Sequence, residues 1–248
     1  MNEKGKIPRT AFFGLGLLVV VAFMLTKPVP QPLEYHNFAD QRSFFSIPNF
    51  WDVTSNGGFL LVGLWGLLQP RNTIRSAQFF VTIMLVCAGS VYYHWSPNNA
   101  TLVWDRLPMG MGFMTVLMTV LADSGVTPSW HSSRHHFLFQ LLGIASVLVW
   151  AAFDDLRFYI LVQFGSMLAL ALVLIFRSFP GKPFLVYALF FYVSAKLVEV
   201  CDASIYHLFF RLLSGHSLKH FIAALATFFC GRYLLLPAHP PPAPLSFP

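Results

Sequence analysis

Two histidines, His216 and His220, are separated by three residues and stand where an apolar stretch begins. On a helix this spacing places both imidazoles on one face, the geometry with which two histidines bind a single zinc ion. The residues between them are Ser, Leu and Lys, so the pair lacks the internal glutamate of the H-E-x-x-H motif. A general base would have to come from elsewhere, and the spacing alone does not establish a metal site.

A second polar stretch, from Ser90 to Asp105, interrupts two apolar runs and contains His94. Ionisable groups at membrane depth are costly unless they are paired or bound to a metal, so each suggests a functional site. Adding His94 to the later pair gives three nitrogen ligands and leaves a fourth position for water, as in catalytic zinc sites. Asp105 could exchange a proton with that water. Ser90, one turn before His94, could donate a hydrogen bond to a developing oxyanion.

Each histidine could instead form an ordinary hydrogen bond at a helix end. For any one histidine considered alone, we favour that structural interpretation. That interpretation would have to apply to all three histidines independently, although the chain also places a serine and an aspartate beside them. We therefore predict one zinc site formed by His94, His216 and His220, with Asp105 and Ser90 as catalytic residues.

The composition is typical of a polytopic membrane protein. Of the 248 residues, 56% are hydrophobic and only 10% are charged, which is unlike a soluble globular domain. The formal net charge of +6 is scattered over short connectors. This distribution suits anionic lipid headgroups, and we expect no nucleic-acid partner, since a basic patch on a soluble face is missing.

Long apolar runs predict an all-α fold, because only helices and closed barrels satisfy the backbone in lipid. The predicted spans are 11–26, 50–69, 75–95, 105–122, 137–153, 157–176, 184–204 and 216–236. We interpret 11–26 as an uncleaved N-terminal anchor, because Lys27-Pro follows it in place of a small-residue cleavage site. A seven-helix catalytic core would occupy 50–236. Residues 1–236 would then form a single membrane domain, and the proline-rich segment 237–248 a disordered tail.

The charges between the spans favour a cytoplasmic N-terminus, because more Lys and Arg residues then fall on the inner side. With eight spans, this topology puts five polar residues on the outer side of the membrane. They are Ser90, His94, Asp105, His216 and His220. An arbitrary set of polar residues would often be divided between the two sides, so their agreement supports a single site.

The spacing Ser-x3-His-x10-Asp, followed distantly by His-x3-His, resembles that of the alkaline ceramidases. This family belongs to the CREST superfamily of membrane hydrolases, which also includes the adiponectin receptors. The segment from Asn49 to Asn56 is similar to the one that opens the first core helix of ceramidases, and the resemblance covers residues 36–235. The sequences at 38–42 and 214–220 are more similar to bacterial ceramidase-like proteins than to eukaryotic ones.

The resemblance implies that His94, His216 and His220 bind zinc. It implies further that Asp105 holds and activates the zinc-bound water, and that Ser90 stabilises the tetrahedral intermediate. The expected reaction is hydrolysis of the amide of a ceramide-like N-acyl lipid, which yields a fatty acid and a long-chain amino alcohol. We expect the protein in a bacterial inner membrane, with the site near the periplasmic face.

In one respect the chain departs from the family. Eukaryotic members bind calcium through an acidic cluster before the first core helix, whereas here only Glu34, Asp40 and Asp52 lie in or beside that region, well apart. A calcium site is not expected, since this ion prefers several oxygen ligands with carboxylate charge. Later in the chain, Glu199 and Asp202 could form a structural polar network or contact a substrate headgroup, and we favour the structural role.

Two other function classes remain open at this stage. One is an adiponectin-receptor-like receptor or a transport-like protein with a structural zinc ion, and the other is a haem protein that uses histidine pairs. Metal content does not distinguish the zinc enzyme from the zinc receptor, but catalytic turnover does. A haem protein would show a Soret band and contain no zinc. The oligomeric state is not indicated by any motif.

Overall fold

The computed structural model describes residues 9–127, 130 and 132–237 of the chain. Helices dominate this described part, and its only β-type pairing is an isolated bridge between Phe44 and Ile47. The helices, in chain order, are α1 (Arg9–Met24), α2 (Phe50–Thr54), α3 (Gly57–Leu67), α4 (Ile74–Trp95), α5 (Asn99–Asp123), α6 (Ser133–Phe153), α7 (Arg157–Ile160), α8 (Ser166–Phe176), α9 (Lys182–Val200), α10 (Asp202–Leu208) and α11 (Gly215–Leu234). The all-α prediction is confirmed. The predicted proline-rich tail, apart from Pro237, lies outside the described residues.

Four helices in the described ranges are long and apolar enough to cross a membrane. They are α4, α6, α9 and the continuous helical stretch Arg157–Phe176, in which α7 and α8 are joined by a π-helical turn. Together with the composition, they identify a membrane protein. The described apolar part of α1 is shorter, and α3 has 11 residues. Helices α5 and α11 reach 25 and 20 residues but are less apolar than the four.

Helix caps explain where α4 and α5 begin. The side chain of Thr73 accepts a hydrogen bond from the backbone N–H of Ser76, and the hydroxyl of Ser76 accepts one from the backbone N–H of Thr73, so a capping box starts α4. Asn98 caps α5 through its side-chain oxygen, which accepts the backbone N–H of Thr101 at 3.0 Å. Helix α5 therefore begins well before residue 105, where the apolar run had placed it. Only a short turn, residues 96–98, separates it from α4.

The helices pack as a ring around a central cavity. Along this ring α3 contacts α4, α4 contacts α5, α5 contacts α8, α8 contacts α9, and α9 contacts α11. Contacts between α11 and α3 close it, while α6 packs on the outside against α5. Helix α1 contacts α7. Six helices can therefore present side chains to one enclosed space.

Hydrogen bonds hold the segment that follows α1 against the loop between α6 and α7. The backbone N–H of Gln31 donates to a carboxylate oxygen of Asp154 at 3.1 Å, and the N–H of Leu156 donates to the carbonyl of Val29 at 2.8 Å. Asp155 binds the guanidinium of Arg157, whose hydrogen bonds lower the pKa of that carboxyl to about 2. These contacts hold the segment at the end of the ring where the loop between α6 and α7 lies.

Gly89 lets α4 and α5 approach closely beside Ser90. A Cβ at this position would overlap the carbonyl of Trp104 and press on the backbone of Asp105. At Gly112, by contrast, a Cβ would make only an ordinary contact, 3.9 Å from a methyl carbon of Thr82. Because backbone atoms cannot move aside as a flexible side chain can, only glycine fits at position 89.

Replacing Gly89 by Ala should destabilise the protein, because the extra methyl group forces two packed backbones apart. Overpacking of this kind costs about 1–3 kcal/mol. Gly112→Ala is the matched control, since both glycines lie within helices and alanine favours a helix by up to about 1 kcal/mol over glycine. Thermal unfolding of the two variants in detergent measures the difference. A Gly89→Ala protein as stable as Gly112→Ala would show that α4 and α5 are not packed as described.

Candidate metal centre

Three histidines from two helices meet at one end of the ring. His94 comes from the last turn of α4, while His216 and His220 come from the first two turns of α11. Their relative exposures are 1%, 4% and 4%. The ring centroid of His94 lies 4.8 Å from that of His216 and 5.0 Å from that of His220. One nitrogen of each ring lies within 4.8 Å of the others, so the three can hold a metal ion.

The distance between two of these nitrogens suits a metal ion. The Nε2 atoms of His94 and His216 are 3.4 Å apart. Two ligands of a tetrahedral zinc ion, each bonded at about 2.0–2.1 Å, lie roughly 3.3 Å from one another. The Nδ1 atom of His94 is also buried, without a hydrogen-bond partner among the described residues.

The ring of His220 is oriented by Ser55, which follows α2. The hydroxyl of Ser55 donates to the carbonyl of Asp52 at 3.2 Å. Its oxygen can then accept the Nδ1–H of His220, at 2.7 Å. This arrangement fixes the tautomer of His220 and leaves the lone pair of its Nε2 free for a metal, as second-sphere partners of metal-binding histidines generally do.

Replacing Ser55 by Ala should weaken metal binding while leaving the three histidines in place. Loss of a partner that orients a ligand typically lowers metal affinity about 10–100-fold. The affinity can be measured by competition with a chelator of known strength. Ser194→Ala is the control, because the hydroxyl of Ser194 bonds only within its own helix, to the carbonyl of Phe190. Equal affinities in the two variants would exclude the orienting role of Ser55.

A buried carboxylate next to the site ties α2 to α11. Asp52 is fully buried, and its Oδ1 accepts a hydrogen bond from the hydroxyl of Ser217 at 2.6 Å and faces that of Ser214 at 3.5 Å. Its Oδ2 has no partner among the residues that the structure describes. Since Ser217 adjoins His216 in the chain, this carboxylate helps to set the register of the two histidines on α11.

A loop covers one side of the site. The ring of Phe38 lies 4.4 Å from that of His216 and 4.8 Å from that of His94, measured between centroids. Asp202 fastens this loop, because its Oδ2 accepts the backbone N–H of Ala39 at 2.9 Å while its Oδ1 accepts that of His216 at 2.7 Å. One carboxylate therefore joins the covering loop to the start of α11.

The central cavity begins beside the histidines and continues into an apolar interior. It measures about 380 Å³. Its polar lining residues include Ser90, Asp105 and His220, and its deeper wall carries aliphatic and aromatic side chains such as Leu170 and Phe79. A polar end joined to an apolar interior suits an amphiphilic ligand.

The structure brings Ser90 and Asp105 together at the polar end of the cavity. They project from the neighbouring helices α4 and α5. Both line the same cavity as His220. All five residues predicted from the sequence thus lie around one part of the helix ring, where three histidines form the cluster and two residues face the space beside it.

Glu199 belongs to a network of charged and polar side chains in the cavity wall. Its carboxylate pairs with the ammonium groups of Lys196 at 2.7 Å and Lys219 at 2.5 Å, and it accepts a hydrogen bond from the hydroxyl of Tyr35 at 3.3 Å. These four residues line the cavity. Buried charges of this kind are generally paired, and here two ammonium groups share one carboxylate.

Sequence reasoning missed Ser55 and Phe38, and considered Asp52 only as a calcium ligand. Asp40, another carboxylate from that comparison, forms a bidentate pair with Arg42. The sequence contains one signal for Ser55, which lies three residues after Asp52 in the segment that resembles ceramidases. Which side chain would reach which imidazole depends on the packing of α2 against α11, and the motif does not contain that information.

No protein-family model matches the chain, and no curated protein matches it. Function is therefore inferred from the chemistry of the site together with the sequence motifs.

Proposed function

We propose that the protein is a zinc-dependent intramembrane lipid amidase. Its substrates would be ceramide-like N-acyl lipids, cleaved to a fatty acid and a long-chain amino alcohol. The observation that carries this proposal is that the three-histidine cluster meets, through His220, a largely apolar cavity that Ser90 and Asp105 also line. A structural zinc site would not need a carboxylate and a hydroxyl facing a ligand-sized space.

In this proposal His94, His216 and His220 hold the zinc ion. When bound, zinc would polarise a carbonyl and lower the pKa of water, and amide hydrolysis needs both effects. Asp105 accepts a proton from the water molecule that attacks the amide carbon, and it delivers that proton to the departing nitrogen. Ser90 donates a hydrogen bond to the carbonyl oxygen as negative charge develops. A C–O bond forms, the C–N bond breaks, and the products are an acid and an amine.

The acyl chain would occupy the deeper part of the cavity. That volume, about 380 Å³, falls within the range of about 300–1,000 Å³ that is usual for ligand pockets. Its inner lining is aliphatic and aromatic, so it offers a methylene chain apolar contacts and no competing hydrogen bonds. The scissile amide would then lie where the polar and apolar parts of the cavity meet.

We further propose that α2–α3, α4, α5, α6, α7–α8, α9 and α11 all cross the membrane as the seven-helix core, with α1 as an additional N-terminal helix. The ring of contacts supports this, since α3 and α5 pack against α4 and α11 packs against α9, and both α4 and α9 are long and apolar enough to cross a membrane. Helices α5 and α11 carry the polar groups of the site, which accounts for their lower hydropathy. With a cytoplasmic N-terminus the site lies near the outer, periplasmic face of a bacterial inner membrane.

Elemental analysis and a hydrolysis screen on the same detergent-purified protein test this function. We expect zinc bound in a 1:1 ratio and release of fatty acid from ceramide or another N-acyl lipid. Zinc without turnover on any acyl lipid would support an adiponectin-receptor-like or transport-like protein and contradict the amidase. A Soret band without zinc would indicate haem and contradict both.

A further inference from the structure

Arg106, next to Asp105 in the chain, places a buried cation in the cavity wall. Its relative exposure is 7%, and its guanidinium is surrounded by aromatic rings. The guanidinium carbon lies 4.4 Å from the ring centroid of Trp150, 4.9 Å from that of Tyr159 and 5.5 Å from that of Tyr35. Such rings attract a cation through their faces, but they do not accept the hydrogen bonds that its five N–H groups can donate.

Part of the hydrogen-bonding capacity of this guanidinium is not used within the described part of the chain. Its Nη1 is buried and has no partner there. The nearby carboxylate of Glu199 is already engaged by Lys196 and Lys219. Among the charged residues that line the cavity, three cations therefore face two carboxylates, Glu199 and Asp105. A buried guanidinium remains charged, so a further anion would improve both the charge balance and the hydrogen bonding.

A second unpaired polar atom lies at the same end of the cavity. Gln31 is 5% exposed, lines the cavity, and uses its side-chain amide nitrogen to donate to the carbonyl of Pro32. Its Oε1 is buried with no partner in the described structure. A strong donor on α5 and an acceptor on the segment after α1 thus face one space, whose far end is apolar.

We infer that the outer end of the cavity is a binding site for the anionic group of a long-chain amphiphile, held by Arg106. The group would be a carboxylate, phosphate or sulfonate, because the planar fork of arginine donates two parallel hydrogen bonds to such oxygens. The chain of the ligand lies in the apolar part of the cavity. This inference rests on the proposed function in one respect: the anion is either the headgroup of the substrate or the carboxylate of the released fatty acid.

Binding of labelled laurate to the purified full-length protein tests the site without requiring turnover. Unlabelled laurate and dodecyl phosphate should compete more strongly than dodecanol in the wild type. Arg106→Gln should weaken laurate binding on the order of tenfold, which is typical of a lost charge-assisted hydrogen bond. Arg106→Lys, which keeps the charge but loses the fork, should retain the preference for anions with intermediate affinity.

Arg134→Gln is the matched control, because Arg134 is exposed in the first turn of α6. It should bind laurate as the wild type does. If laurate bound only to the three-histidine centre, Arg106→Gln would bind it with the same affinity as the wild type, and that result would overturn the inference. Equal competition by dodecanol and dodecyl phosphate in the wild type would overturn it as well, whatever the folding of the variants.

Kinetics then separate the two sources of the anion. If it is the substrate headgroup, Arg106→Gln should raise KM for an anionic N-acyl lipid and leave KM for neutral ceramide unchanged. If it is the product, the variant should leave KM unchanged and be inhibited less by laurate. Either result supports the site. A protein that prefers anions through Arg106 yet hydrolyses no acyl lipid would retain the site and refute the amidase.

Discussion

Asp105→Asn should lower the rate of amide hydrolysis about 10²–10⁴-fold, the usual contribution of a positioned general acid–base group. The asparagine has nearly the same shape as the aspartate, but it cannot take a proton from water. The three imidazoles do not involve this side chain, so zinc content should not change. Loss of rate with retained metal would mark Asp105 as catalytic and not as a ligand.

The rate is best measured as fatty acid released at saturating substrate, beside elemental analysis of the same preparation. Glu34→Gln provides a matched control, since Glu34 is an exposed carboxylate on the outer side whose side chain makes no described hydrogen bond. That variant should hydrolyse as fast as the wild type. An Asp105→Asn enzyme with full activity would remove the proposed base from the mechanism.

His216→Ala should abolish tight metal binding and, with it, hydrolysis. It removes one of three nitrogen ligands, and the two imidazoles that remain make a much poorer site. The loss of affinity should exceed the 10–100-fold expected for Ser55→Ala, which removes only an orienting partner. Metal affinity should thus decrease in the order wild type, Ser55→Ala, His216→Ala.

Chelator competition and a fatty-acid release assay on the same samples check this order. His207→Ala is the control, because His207 is an exposed histidine of α10 on the same side of the molecule. It should bind metal and turn over normally. Full metal occupancy in His216→Ala would mean that the ion lies elsewhere, and full activity without metal would make the cluster irrelevant to catalysis.

Much of the helical architecture follows from the sequence because lipid imposes a simple rule. A backbone in hydrocarbon must satisfy itself, so long apolar runs become helices, and α4, α6 and α9 lie within a few residues of their predicted spans. The rule fails where polar side chains control the boundary. Asn98 starts α5 inside a stretch that reads as a polar interruption, and residues 55–56 separate α2 from α3 within one predicted span.

The three-histidine cluster was predictable because the sequence gives both the spacing of the histidines and the side of the membrane on which they are expected. His216 and His220 share a face by helical periodicity, and the count of spans puts His94 on the same side of the membrane. Arg106 was not recognised, since next to Asp105 it reads as an ordinary charge at a helix end. The role proposed for Arg106 depends on its burial among aromatic rings from three other segments, including Trp150 and Tyr159. Such long-range contacts produce no periodic pattern in the sequence.

The loop that carries Phe38 has a kinetic consequence. Because its aromatic ring lies against two of the three imidazoles and Asp202 fastens the next residue to α11, an ion held there cannot leave toward the outer solution until this loop moves. Metal release would then be limited by a conformational opening and not by the strength of the chelator outside. At high chelator concentrations the rate of zinc loss should reach a plateau, and that plateau would report how often the loop opens.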